Sequence, residues 1–262
     1  MIPKKIHYCW VGGNPLPTSV KKCIASWKKY CPDYEIIEWN EDNYDFTKNQ
    51  YMKDAYEAKK WGFVPDYARV DIIYHHGGIY LDTDVQVIKN FDSLLDCKSF
   101  FGFEDDGNNK FYINLGHGFA GEKGNPLLKN IMDSYQALSF YNPDGSQNLT
   151  PSPILNSTVL EKYGFVMDNH YQSINDNIIY PGDFFDPKSF ITGLLSITEN
   201  TYSIHHYDAS WVDEEIKARI KNVWKLNKRN DRIDSIIHFP NRFLINVLGE
   251  EKYKRLKQKI KK

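Results

Sequence analysis

Two carboxylates one residue apart, Asp82 and Asp84, follow the apolar run Ile79-Tyr80-Leu81, which Gly77-Gly78 precedes. A hydrophobic strand that ends in charge puts that charge at the carboxyl edge of a sheet, where open α/β folds bind ligands. If the backbone stays extended, side chains at i and i+2 share a face, so the two carboxylates are expected to converge. Such a pair suits a hard divalent cation. Mg²⁺ or Mn²⁺ takes one or two carboxylates and completes its octahedron with water and diphosphate oxygens. An Asp-x-Asp triplet also occurs in plain solvated turns, and here the strand and the glycine pair before it set it apart.

The elements needed to position that pair are legible on both sides of it. Ile6 to Val11 reads as a strand closed by the Gly12-Gly13-Asn14-Pro15 turn. Thr18 reads as the N-cap of a helix with Val20, Cys23, Ile24 and Trp27 on one face, stopped by Cys31-Pro32-Asp33. A strand over 35–39, helices over 50–61 and 64–75, and the strand 79–81 follow. Further strands are predicted over 99–103, 117–121, 177–180 and 201–206, with helices over 126–138 and 153–162. This alternation predicts an α/β fold with the sheet sandwiched by helices. After Trp211 the pattern turns helical to the end.

The same letters suit a rival chemistry. Asp-x-Asp after a hydrophobic strand resembles the nucleophile motif of haloacid-dehalogenase-like magnesium phosphatases, whose first Asp attacks phosphorus and whose second is the general acid. That family also carries a later Gly-Asp-x-x-x-Asp, and Gly182-Asp183-Phe184-Phe185-Asp186 is one residue short of it. A non-catalytic module that binds a sugar nucleotide is the third reading.

Three ordered blocks favour another family. They are Ile2-Pro3-Lys4-Lys5-Ile6-His7-Tyr8-Cys9-Trp10-Val11-Gly12-Gly13, then Asp66-Tyr67-Ala68-Arg69 through Gly77-Gly78 to Asp82-Thr83-Asp84, and finally His205-His206-Tyr207-Asp208-Ala209-Ser210-Trp211. Together they resemble the sugar-binding Asp-x-Asp glycosyltransferases of family 32, of the bacterial capsular-polysaccharide type, and are similar in order to blocks of the large clostridial glucosylating toxins. The resemblance spans about residues 1–211. It implies a GT-A-like fold with a Rossmann-like mixed sheet, a UDP-sugar donor, Mn²⁺ or Mg²⁺, and transfer with retention of anomeric configuration.

The resemblance also implies roles. Asp82, Asp84 and Arg69 are expected to be catalytic, and Asp82 and Asp84 to hold the metal with His205 or His206. The two histidines point to opposite faces of a strand, so one at most ligates. Trp10, Asp66, Arg69, Tyr80, Asp82, Asn114, Ser210 and Trp211 are expected to contact the nucleotide-sugar, with the flat Trp10 indole suited to stack on uracil. Read without the family, Trp10 is a core residue, Asp66 and Arg69 a surface i,i+3 ion pair worth a few tenths of a kcal/mol, and Trp211 an anchor for the following helix. Glu104, Asp105 and Asp106 form a second acidic group at a strand exit, expected to line the acceptor side or simply a charged loop.

Composition bounds these readings. The chain has 262 residues and a balance of 33 basic against 34 acidic, so it does not have the charge of a general nucleic-acid binder. The balance is uneven, with fifteen basic and four acidic residues from Lys217 to Lys262. Phe243, Leu244, Val247, Leu248, Tyr253, Leu256 and Ile260 recur at helical spacing there, which predicts a basic amphipathic tail able to lie on an anionic membrane. The alternative is a helix packed on the catalytic domain with a solvated end. Cys9, Cys23, Cys31 and Cys97 have no C-x-x-C spacing and read as reduced, buried thiols. No signal peptide or membrane span is predicted. The sequence thus predicts a catalytic domain over 1–211 and a helical appendage over 212–262. The protein is expected in the cytoplasm, at the inner face of the membrane if the tail binds, acting on a glycan acceptor, lipid-linked or free.

Overall fold

The computed structural model describes residues 1–107, 110–208 and 215–228. Three strands pair in parallel with β1 in the middle: β1 (Lys5–Cys9), β2 (Glu35–Trp39) and β3 (Gly78–Tyr80). Parallel neighbours require crossovers. Helix α1 (Thr18–Tyr30) supplies the first, and α2 (Gln50–Glu57) with α3 (Val64–His76) the second. Past β3 the pairing turns antiparallel, through β7 (Phe119–Gly121) to β5 (Ser99–Asp105). Strand β9 (Asn177–Tyr180) lies parallel to β5, β8 (Gln172–Ile174) closes that side, and β6 (Phe111–Ile113) pairs with the end of β5. The strand order is β2-β1-β3-β7-β5-β9-β8, with β6 off that path.

Helices cover both faces. On one, α2, α3, α4 (Pro126–Ser134) and α5 (Ser152–Tyr163) bury Met52, Ile73, Leu128 and Leu160 against Phe101 and Phe119. On the other, α1 buries Val20, Cys23 and Trp27 against Ile6, Ile79, Phe91 and Phe100. The mixed sheet flanked by helices is the α/β architecture expected from the sequence. A separate two-stranded ribbon, β4 (Val85–Val87) with antiparallel β10 (Ser203–His205), leaves the sheet just after β3.

The glycine pair before β3 has a packing reason. Gly77 and Gly78 have φ of +65° and +114°, and a Cβ on Gly78 would stand 2.8 Å from His7 Nε2 and 2.9 Å from the Lys5 carbonyl. Only glycine lets β3 approach β1 this closely. His7 Nε2 donates to the Gly77 carbonyl at 2.9 Å and its Nδ1 accepts from Trp39 Nε1 at 3.0 Å.

Several boundaries differ from expectation. Thr18 opens α1 rather than capping it; Pro17 is the N-cap and no side chain caps the turn. Helix α2 stops at Glu57, followed by Lys59 at φ +56°. The helix predicted to 138 ends at Ser134 and continues as a 3₁₀ turn, Tyr135–Ala137. All four cysteines are free and buried.

By internal contacts the described residues divide into two units, 1–190 with 195–208 and 191–194 with 215–228. In the second, a helix over 215–228 holds Asn227, whose Nδ2 donates to the Thr192 carbonyl at 3.0 Å. Among the described residues no helix is long and apolar enough to cross a membrane. The tail from Phe243 to Ile260 lies outside the described residues.

Candidate functional site

Asp82-Thr83-Asp84 leaves β3 as a turn, closed by Val85 N–H donating to the Asp82 carbonyl at 3.1 Å. The carboxylates converge because the chain reverses, not because it stays extended. Trp27 Nε1, buried in the α1 layer, donates to the Val85 carbonyl at 2.8 Å and holds the turn's exit. The ribbon then brings in a distant segment, since His205 pairs with Val85 in register. His205 Nε2 lies 3.2 Å from Asp84 Oδ1. Asp82, Asp84 and His205 each present one ligating atom within 4.8 Å of the other two. Strand alternation sends the neighbouring ring the other way, and His206 Nε2 meets Gln86 Oε1 at 3.0 Å.

Tyr207 has φ of +58°, a left-handed conformation that costs a side-chain-bearing residue roughly 1–3 kcal/mol. Two contacts follow from it. The Asp208 N–H donates to Asp84 Oδ2 at 2.8 Å, and the Tyr207 hydroxyl donates to Asp186 Oδ1 at 2.6 Å. Burial works against an ionised Asp84, but the His205 ring and the Asp208 N–H outweigh it and hold this carboxyl well below the usual range. For His205 burial favours the neutral ring, and Asp84, Asp186 and Asp82 outweigh it, raising its pKa to about 9.

Behind the trio, Arg69 and Asp66 are both 4% exposed. They are not the surface ion pair that i,i+3 spacing alone suggests. Arg69 Nη2 stands 3.2 Å from Asp66 Oδ1 and 3.5 Å from Asp82 Oδ1, tying α3 to the turn. Its guanidinium carbon lies 5.4 Å from the centre of the Tyr80 ring. Burial raises the Asp66 pKa to about 6 against the pull of Arg69. Tyr80 is 1% exposed. Its ring lies in the core beneath Arg69, away from the surface a nucleotide-sugar would reach.

On the far side of the trio, Asn114 Nδ2 donates to Glu104 Oε2 and Asn114 Oδ1 accepts the Gly116 N–H at 2.7 Å. The Gly116 carbonyl in turn accepts from Asp82 N–H at 2.7 Å. Burial pushes the Glu104 carboxyl up, and burial with the nearby Glu104 charge raises Asp186 to about 8. His117 is fully buried beside His205, and burial holds it neutral, well below the ordinary histidine range. Asp186, His117 and Gly116 do not emerge from the sequence as members of this neighbourhood, and Tyr207 stands there in the third block without a role. The Gly182–Asp186 segment is the one signal, and in the sequence it falls one residue short of a phosphatase motif. Asp183 instead accepts from Thr198 and Asn200, and Asp186 alone of that segment's carboxylates meets Tyr207.

Trp10 lies elsewhere, past the end of β1. Its N–H donates to the Trp39 carbonyl at 2.9 Å and its indole Nε1 to the Asn14 carbonyl at 2.6 Å. It is half-buried and lines a cleft of about 960 Å³ with Trp61, Tyr56, Glu38, Glu41 and Asn40. None of the trio lines this cleft. Ser210 and Trp211 lie outside the described residues. The donor set of two carboxylate oxygens and one imidazole nitrogen fits a divalent cation that keeps further positions for other ligands.

Residues 17–101 match the family described as glycosyltransferase sugar-binding region containing DXD motif. An uncharacterized glycosyltransferase of Acanthamoeba polyphaga mimivirus is 24% identical over 195 residues, covering 72% of this chain and 77% of that one. Inositol phosphoceramide mannosyltransferase 1 of Schizosaccharomyces pombe is 29% identical over 110 residues, 38% of this chain and 33% of its own length. The solved PaToxG glycosyltransferase aligns at a TM-score of 0.46 with 21% identity, covering 62% of this chain and 70% of that one. The chain therefore spans about three quarters of the viral relative and a third of the yeast one. The matched region is similar to that of DXD-containing glycosyltransferases, and Asp82-Thr83-Asp84 is the Asp-x-Asp triplet within it.

Proposed function

We propose that the chain is a retaining, divalent-metal-dependent glycosyltransferase of the family 32 kind. It moves a hexose or N-acetylhexosamine from a UDP-sugar to a glycan acceptor in surface polysaccharide synthesis, with residues 1–211 as its catalytic part. The observation that carries this reading is the convergence of Asp82, Asp84 and His205 on one point, with Arg69 buried behind them. Those three side chains would hold the cation, which when bound supplies a positive charge that stabilises a leaving diphosphate. The mixed oxygen and nitrogen donors favour Mn²⁺ over the harder Mg²⁺.

The protein's own groups do the rest. Arg69, always charged and pinned by Asp66, fixes where the Asp82 carboxylate points. The Asp208 N–H does the same for Asp84. The aromatic and acidic cleft around Trp10 suits a stacked pyrimidine with ribose hydroxyls donating to Glu38 or Glu41. Glu104 and Asn114, locked to each other, are placed to accept sugar hydroxyls. No side chain is assigned as nucleophile, which accords with front-face departure, in which the acceptor enters from the side the diphosphate leaves. A lipid-borne acceptor is part of the proposal, as is membrane contact through the basic tail. The yeast relative's name assigns it a lipid substrate, inositol phosphoceramide.

The test is release of UDP from a panel of UDP-sugars in Mn²⁺. One donor should turn over slowly without acceptor, and Asp84→Ala should abolish that turnover. Phosphate release from phosphomonoesters with no UDP-sugar turnover would establish the phosphatase instead, and binding without turnover the inert module.

A further inference from the structure

His117 is fully buried, and neither of its ring nitrogens has a protein partner within hydrogen-bond reach. His205 shares the same condition on one side. Its Nε2 faces Asp84, while its Nδ1 is buried without a protein partner. These are three of the six orphaned buried side-chain atoms among the described residues, and they belong to adjacent rings. The ring centres lie 6.0 Å apart with their planes inclined by 52°.

That spacing is informative. Ring nitrogens sit about 1.2 Å from the ring centre, so the nearest pair is separated by roughly 3.6 Å or more, too far for a direct N–H···N bond. Two hydrogen bonds through one water span up to about 5.6 Å. A buried water is stable where polar groups converge on it, and a neutral imidazole offers both a donor and an acceptor.

We propose that His117 is a positioning residue for His205, acting through a single buried water that accepts the His205 Nδ1–H and bridges to the His117 ring. This proposal rests on the metal-site reading above. A histidine that ligates through Nε2 ordinarily donates its Nδ1–H to a second group, which fixes the tautomer and aims the lone pair at the metal. Here neither a carboxylate nor a carbonyl takes that proton. The surroundings are built to keep the two rings in place. The His117 carbonyl accepts from Ser203 Oγ at 3.0 Å, and Ser203 stands on β10, the strand that carries His205. A Cβ on Gly102 would lie 3.1 Å from His117 Cε1, so β5 closes directly against the ring. Tyr207 lies against His205 with ring centres 4.1 Å apart.

Two variants separate positioning from packing. His117→Phe fills the space without a polar atom, and His117→Gln restores hydrogen-bonding capacity. Calorimetric titration of the full chain with Mn²⁺ alone should show affinity falling roughly 10- to 100-fold in His117→Phe, with most of it recovered in His117→Gln. Thermal melting of His117→Phe should stay within a few degrees of the wild type, because the ring packing is kept and only one water-mediated bond is lost. Imidazole ¹⁵N–¹H spectra of the Mg²⁺-loaded wild type should show His205 carrying its proton on Nδ1. Wild-type Mn²⁺ affinity in His117→Phe would overturn the proposal alone, whereas a His205 proton on Nε2 in the loaded protein would overturn it together with the place of His205 in the metal reading. Failure of the wild type to take up Mn²⁺ would overturn the metal reading with it. Should His117→Phe not fold, the His117→Gln titration and the wild-type spectra decide between the same outcomes.

Discussion

Replacing Gly116 with alanine should disarm the site and leave the fold nearly as stable as before. Gly116 is not among the glycines with left-handed backbone, so alanine can adopt its conformation. Alanine also restricts the unfolded chain, which favours folding by roughly 0.4–1 kcal/mol. The new methyl, however, would stand 2.8 Å from Asp82 Cγ and closer still to its Oδ2. Carbon atoms rest comfortably at about 3.5–4.0 Å. The carboxylate must therefore swing away by roughly 1 Å, off the point it shares with Asp84 and His205. A displacement of that size at a reacting centre costs about a hundredfold in rate, equivalent to about 2.7 kcal/mol in the barrier. Donor hydrolysis and Mn²⁺ titration should both report the loss, while the thermal midpoint moves by only a few degrees. Unchanged hydrolysis and metal affinity would refute the reasoning, since Asp82 would then not need the place it occupies. A collapse of the thermal midpoint would refute it differently, by showing that the backbone and not the carboxylate absorbs the methyl.

Further outcomes can be measured alongside. Mn²⁺ affinity should rise with pH, about tenfold per unit between pH 6.5 and 7.5, because His205, its pKa raised to about 9, must lose a proton to ligate; calorimetry in two buffers of different ionisation enthalpy checks the proton release. His206→Ala should leave that affinity unchanged and His205→Ala should abolish it, since His206 faces Gln86. Burial lowers the His7 pKa to about 4, and protonation would turn its Nδ1 against the Trp39 N–H. The stabilisation this confers is present above about pH 6.5 and is lost as pH falls through 4, amounting to roughly 3 kcal/mol. Urea unfolding at pH 7 and 4.5 should show this loss in the wild type and little of it in His7→Gln. Arg69→Met should cost about 3–5 kcal/mol in urea unfolding by stranding buried Asp66; a change under 1 kcal/mol would contradict the buried pairing.

What was legible in the sequence was residue type at the ends of apolar runs. Asp82 and Asp84 stand out because a buried strand must stop where charge begins. Helix α1 stands out because its apolar spacing persists over a dozen residues, and α3 because a long apolar run ends at the Gly77-Gly78 pair. Strands β4, β6 and β8 are three residues each and leave no periodicity to read. That the Tyr80 ring is buried could not be read from the sequence, since a strand's pattern does not say which of its faces is core. The Asp66–Arg69 spacing was visible, but a helix buried on all sides, as α3 is, cannot be told from a surface one by two charges alone. Asp186, His117 and the role of Tyr207 are not legible for a deeper reason. Each enters through a tertiary contact, and the left-handed turn at Tyr207 has no glycine or asparagine to announce it.

The ribbon of β4 and β10 sets the order in which the site can exist. Asp208 reaches Asp84 across 124 residues of chain. A growing polypeptide thus displays both carboxylates long before it has the histidine, and closing so long a loop is among the last pairings to be rewarded. Refolding followed by metal uptake should accordingly lag refolding followed by burial of the aromatic core. An immature chain, however compact, would lack the third side chain that completes the cation site. Competence arrives in one step, when the ribbon zips.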